Sequence, residues 1–121
     1  MNRTCILALA CAAVLVTPTA SFAHAQLDHA SPTVGSTVKA APSAVPLSFT
    51  EAVEPKFSSI EVRDAKGAAM QSGAAQGVAG NTAQLRVGVK PLTAGTYTVK
   101  WKVLSVDTHR TQGSFSFTVG P

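Results

Sequence analysis

Apolar and polar residues alternate in short stretches along most of the chain after residue 23, and no segment there repeats with the period of an α-helix. The clearest stretch spans residues 97–104. Its apolar side consists of Tyr97, Val99, Trp101 and Val103. The other stretches cover residues 47–50, 60–63, 85–89 and 115–119. Since a period of two places successive side chains on opposite faces, each stretch predicts a β-strand with one buried face and one face in water.

Clusters of Gly, Pro, Ser and Asn separate these stretches and indicate turns. They occur at residues 31–35, 64–67, 80–81 and 91–95. Residues 68–81, rich in Gly, Ala and Gln, are expected to form a long mobile connection with at most one poor strand. Several short strands at this spacing predict one all-β domain of two packed sheets, a Greek-key β-sandwich or barrel of immunoglobulin-like or cupredoxin-like type.

The first 23 residues differ from the rest of the chain. A short basic start is followed by an apolar run that ends at Val16 and by small residues that end at Ala23. This pattern predicts a secretory signal peptide, residues 1–23, cleaved after Ala23, and a folded domain in residues 24–121. The apolar run is shorter than the roughly 20 residues of a membrane-spanning helix, so no membrane span is expected after cleavage. Cleavage after Ala25 also satisfies the small-residue rule and stays open.

Composition narrows the function of the processed domain. Both cysteines, Cys5 and Cys11, lie in the signal peptide, so the exported domain is expected to form no disulfide. The formal net charge of the chain is +4, but its basic residues occur singly and form no run. A protein that binds nucleic acid or a membrane surface needs a basic cluster. The sequence therefore favours a soluble domain that binds no nucleic acid.

Only three histidines, His24, His29 and His109, are available for chemistry. Cleavage after Ala23 would give His24 a free α-amine, which can chelate one metal ion together with the imidazole Nδ1. A second imidazole and a carboxylate oxygen would complete a nitrogen-rich set that suits Cu(II). Taken alone, His24 is also consistent with a frayed terminal residue.

Asp107 and His109 lie two residues apart, directly after the longest predicted strand. If the chain stays extended there, both side chains point to one face and present a carboxylate and an imidazole together. A polar turn without a metal is the alternative for this pair. Glu51, at the end of another predicted strand, is a candidate for an axial ligand or for a group that orients a ligand. His29 is expected to bind no metal.

Several segments together resemble the CopC and PcoC family of periplasmic copper-resistance proteins. Three of them read His24-Ala25-Gln26-Leu27, Leu47-Ser48-Phe49-Thr50-Glu51 and Ser105-Val106-Asp107-Thr108-His109. The others are residues 31–35, 91–97, 99–101 and 113–115. The match covers nearly the whole domain in the right order, and the combination is specific although each fragment alone is not.

The resemblance implies a periplasmic copper carrier or buffer rather than an enzyme. It implies one Cu(II) per chain, held by the N-terminal His24, Asp107 and His109, with Glu51 matching an acidic residue near the site. It also implies an inner-membrane copper transporter of the CopD type as a partner. Some family members have a second site, for Cu(I), in a loop with several methionines. The corresponding region here holds only Met70, so no Cu(I) site is expected.

Two other functions stay open at this point. One is a metal-free, immunoglobulin-like interaction module in which the histidines are incidental. The other is a copper monooxygenase that attacks polysaccharides, which would need a broad face of exposed aromatic residues. The single Trp and the single Tyr both fall on the apolar side of a predicted strand, which argues against such a face. A monomer is expected.

Overall fold

The computed structural model describes residues 12–13 and 24–121, so the predicted signal peptide lies outside the described residues except for Ala12 and Ala13. The described chain contains eight β-strands and one 3-10 helix. The strands are β1 (Leu27–Ala30), β2 (Thr37–Val38), β3 (Ala44–Phe49), β4 (Ser59–Arg63), β5 (Gln76–Val78), β6 (Asn81–Gly88), β7 (Gly95–Leu104) and β8 (Arg110–Val119). The 3-10 helix, Pro55–Phe57, lies between β3 and β4. The predicted all-β class is confirmed.

The strands form two four-stranded sheets that pack as a sandwich. One sheet has the order β1-β3-β6-β5 and the other the order β2-β8-β7-β4. The short β2 pairs with β8 in parallel. The other paired strands, such as the β7–β8 hairpin, are antiparallel.

The alternation seen in the sequence fills the space between the sheets. Trp101 packs edge to face against Phe49 across the core, with ring centroids 5.3 Å apart. The largest wholly buried apolar side chains are Phe117, Leu47, Leu85, Val45, Val62, Val87, Val99 and Val103. Each such side chain stabilises the fold by about 1.5–3 kcal/mol relative to exposure to water. This core is what makes the ends of the strands a rigid frame.

The segment 68–81 differs in part from its prediction. The one expected short strand is present as β5. The rest is tied to the sheets, since the amide of Met70 donates to the carbonyl of Val62 at 2.7 Å and its carbonyl accepts from Lys90 at 2.8 Å. Gly- and Ala-rich composition does not reveal such backbone bonds, which depend on the neighbouring strand edges.

Several strand ends meet at one end of the sandwich. The start of β1 lies beside the end of β3, where Leu27 pairs with Phe49. The β7–β8 hairpin closes at the pair Leu104 and Arg110. The chain leaving β3 reaches this hairpin, because the amide of Glu54 donates to the carbonyl of Leu104 at 2.8 Å. Residues distant in sequence are thus brought together here.

Candidate metal centre

Two of the three histidines meet at this end of the sandwich. The imidazole rings of His24 and His109 are in edge-to-face contact, with centroids 4.8 Å apart and an interplanar angle of 83°. The Nδ1 atom of His24 is buried and has no hydrogen-bond partner among the described residues. Because a buried polar atom without a partner is costly, this nitrogen is the kind of group that a bound ion can satisfy.

The N-terminal segment, residues 24–26, is held against both sheets before β1 begins. The Thr50 hydroxyl, just after β3, accepts from the amide of Gln26 at 3.0 Å. The hydroxyl of Thr111, in β8, donates to the carbonyl of Ala25 at 2.6 Å. The side chain of Ala25 is fully buried in the core. These contacts fix the backbone that carries the His24 ring.

A tight turn brings Asp107 and His109 together. Ser105 is fully buried, and its amide donates to the carbonyl of His109 at 2.9 Å. Its hydroxyl donates to the Asp107 carboxylate and accepts from the amide of His109 at 3.2 Å. Thr108 adopts a positive φ of 73°. The expectation of an extended chain here is therefore wrong, and the turn, rather than strand alternation, places the two side chains side by side.

The Asp107 carboxylate is the one group here whose pKa is clearly displaced. The hydrogen bond from the Ser105 hydroxyl lowers the pKa of Asp107 below its ordinary value of 3.8. Desolvation opposes this effect, and the neighbouring His109 lowers the pKa further. Nδ1 of His109 lies 3.2 Å from Oδ1 of Asp107. Asp107 is therefore anionic at neutral pH and offers an oxygen donor beside an imidazole.

The other two predicted residues lie in different surroundings. Glu51 follows Thr50 on the segment next to the turn, where the amide of Val106 donates to the carbonyl of Ala52 at 3.1 Å. Oε2 of Glu51 is buried and has no hydrogen-bond partner in the described chain. His29 is 81% exposed and lies 2.9 Å from the Asp28 carboxylate, so it belongs to a separate surface pair.

Side chains alone do not complete a metal site in this arrangement. Within residues 12–13 and 24–121, no three His, Cys, Asp or Glu side chains converge as a ready metal-binding cluster. The closest approach to one is the His24–His109 contact with Asp107 beside it. A donor other than a side chain would be needed to complete a three- or four-ligand set.

Sequence reasoning missed three hydroxyl residues that shape this region: Thr50, Ser105 and Thr111. A signal existed only for Ser105, which continues the buried alternation of β7 as a polar residue directly before the Asp107–His109 pair. A polar residue on a buried face must find hydrogen-bond partners, which marks it as structurally engaged.

A β-sandwich that gathers two imidazoles and two carboxylates at one end has the architecture of a small metal-binding protein. The model of the CopC domain matches residues 27–120, nearly the whole described domain. The chain belongs to the CopC family. Membership places it among copper-resistance proteins and not among enzymes.

Relatives with known names carry the same association. The chain is 41% identical over 106 residues to the protein YobA of Escherichia coli K12, covering 87% of this chain and 85% of that protein. It is 37% identical to "Copper resistance protein C" of Xanthomonas campestris pv. juglandis, covering 82% of each. It is 32% identical to "Copper transport protein CutJ" of Bacillus subtilis, covering 85% of this chain but only 19% of that longer protein.

Solved structures agree on the fold. CopC from Methylosinus trichosporium OB3b matches with a TM-score of 0.76 and 39% identity, over 81% of this chain and 95% of that chain. PcoC from Escherichia coli, described as a methionine-rich copper resistance protein, matches with a TM-score of 0.70 and 32% identity, over 80% of this chain and 99% of that chain. No helix in the described part of this chain is long and apolar enough to cross a membrane.

Proposed function

We propose that the protein is exported, loses residues 1–23, and as residues 24–121 binds one Cu(II) in the periplasm to sequester or carry it. The observation that carries the proposal is the contact between the His24 and His109 rings, with the buried Nδ1 of His24 lacking a partner among the described residues. Copper is the cargo of the protein and is not used for catalysis.

The ligand set combines one backbone group with three side chains. Cleavage after Ala23 would free the α-amine of His24, which supplies the donor that side chains alone do not provide. With the imidazoles of His24 and His109 and the Asp107 carboxylate, this gives three nitrogens and one oxygen. Such a set suits Cu(II), which also stands highest in the divalent affinity order. Glu51, with its buried oxygen lacking a partner in the described chain, serves as an axial ligand or orients one.

The methionine content favours Cu(II) over Cu(I). The chain contains two methionines, Met1 and Met70, and Met1 lies in the proposed signal peptide. Met70 is partly buried and packs against the hydrophobic core. A single thioether engaged in this way does not build the soft, multi-sulfur site that Cu(I) prefers. Its relative PcoC is described as methionine rich, so this chain departs from that relative at this point.

We infer that a membrane copper transporter of the CopD type receives the copper. The support is the relative named "Copper transport protein CutJ", in which a domain like this one makes up 19% of a longer chain. A fused domain works at high effective concentration beside its neighbour, and a separate domain would act by transient docking. The protein itself is proposed to be a monomer.

Titration of the chain that begins at His24 with Cu(II) tests the proposal. We expect one equivalent to bind, and His24→Ala and His109→Ala to weaken binding by more than the roughly 10–100-fold cost of losing an outer-shell partner. His29→Ala is the matched control, because His29 is exposed and paired with Asp28. Equal losses in all three variants would contradict the ligand assignment. A wild-type chain without stoichiometric Cu(II) would favour a metal-free interaction module.

A further inference from the structure

The segment before β1 is held in place although it belongs to no strand. The first residues of a domain usually fray unless something ties them down. In residues 24–26, the carbonyl of Ala25 accepts from the Thr111 hydroxyl at 2.6 Å. The Thr50 hydroxyl lies 3.0 Å from the amide of Gln26 and 3.3 Å from the carbonyl of His24. Side-chain hydroxyls thus do the work that a strand ladder does elsewhere.

The two threonines come from different sheets. Thr50 follows β3 in one sheet, and Thr111 lies in β8 of the other. The amide of Thr50 also donates to the carbonyl of Gln26 at 2.9 Å. Together with the fully buried Ala25 side chain, these bonds fasten the segment across the end of the sandwich.

The bonds engage the segment on the side away from the histidine chemistry. They involve the carbonyls of His24 and Ala25 and the amide of Gln26, whereas the imidazole of His24 meets the ring of His109. The α-amine that cleavage would expose lies upstream of every one of these bonds. The bonds can therefore persist unchanged while the amine and the imidazole bind an ion.

We propose that Thr50 and Thr111 are positioning residues that clamp residues 24–26, so that His24 already faces His109 before copper binds. This inference rests on the proposed Cu(II) function and deepens it. A group that is ordered in advance does not have to be ordered by the ligand, and the saved conformational entropy appears as affinity. Fixing one residue's backbone corresponds to about tenfold in a binding constant.

Substitutions of Thr111 test the clamp in the chain that begins at His24. Thr111→Val keeps the shape but removes the donor to the Ala25 carbonyl, so we expect Cu(II) affinity to fall about tenfold. Thr111→Ser keeps the hydroxyl and should retain most of the wild-type affinity. The matched control is Thr118→Val, since Thr118 lies on the same strand and bonds Thr96 instead. It should leave affinity unchanged.

A double-mutant cycle separates positioning from a general loss of structure. If Thr111 acts through His24, Thr111→Val adds nothing to the loss caused by His24→Ala. In the metal-free protein, amide hydrogen exchange of Gln26 should quicken in Thr111→Val, while exchange in the β7–β8 hairpin stays at the wild-type rate.

Two outcomes overturn the clamp while leaving the proposed function standing. One is wild-type Cu(II) affinity in Thr111→Val. The other is an equal fold-loss from Thr111→Val with and without His24. A wild-type chain that binds no Cu(II) is a different result, because it refutes the proposed function itself and removes the clamp's role in metal binding with it.

Discussion

Replacing Ser105 with alanine should loosen the turn that carries Asp107 and His109. The Ser105 side chain is fully buried, and its hydroxyl accepts from the amide of His109 at 3.2 Å and donates to the Asp107 carboxylate. Alanine fits the space but removes both bonds. The bond from the His109 amide alone contributes about 0.5–1.5 kcal/mol. The free energy of unfolding should therefore fall by at least about 1 kcal/mol in the metal-free protein.

Thermal unfolding followed by circular dichroism measures this loss. For a domain of about 100 residues, 1 kcal/mol corresponds to roughly 4–8 °C in Tm. Ser114→Ala is the matched control, because Ser114 is an exposed serine on β8. Its Tm should stay close to that of the wild type.

Copper binding should suffer as well, because the bonds of Ser105 hold two proposed ligands in place. Loss of such an orienting partner costs about 10–100-fold in metal affinity. A Ser105→Ala protein with the Tm of Ser114→Ala and wild-type Cu(II) affinity would refute the reasoning that the hydroxyl organises the turn.

Three further predictions concern pH, packing and oxidation state. Cu(II) affinity should fall steeply below about pH 6, because protons compete for the α-amine and the imidazoles, whose reference pKa values are about 7.7–8.0 and 6.5. Asp107, whose pKa is lowered below 3.8, stays ionised over that range, and its stabilising effect on the fold is lost only as the pH falls through that lowered value; a decline confined to pH below 4 in a copper titration series would contradict this. Gly113→Ala should destabilise the domain by about 1–3 kcal/mol in urea denaturation, since a Cβ there would lie 2.5 Å from Cζ2 of Trp101, whereas Gly120→Ala meets only ordinary contacts at 3.6 Å and is the control. Met70→Ala should leave Cu(II) binding unchanged, and tight Cu(I) binding that this substitution abolished would show that a cuprous site had been overlooked.

Much of the fold follows from local pattern. The alternation over residues 97–104 predicts β7, and the burial of Tyr97 and Trp101 matches the predicted inward face. The short β2 was not predicted, because two residues carry no periodicity. Its parallel pairing with β8 depends on the packing of the whole sandwich, which no local stretch of sequence records.

The candidate site was predictable only in part. The residue types of His24, Asp107 and His109 suggested metal chemistry, but each fragment alone was weak, and only the structure brings the two rings into contact. Strand alternation gave the wrong reason for the nearness of Asp107 and His109, because the chain turns at Thr108 with a positive φ. Single Thr residues such as Thr111 could not be singled out, because their role depends on which carbonyl lies opposite after folding.

The intact mass of the exported protein, measured under native conditions with and without one equivalent of Cu(II), tests the central claim most directly. The account predicts a chain that starts at His24 and retains one copper ion. A chain that starts at Gln26, or one that starts at His24 and holds no copper, would contradict it.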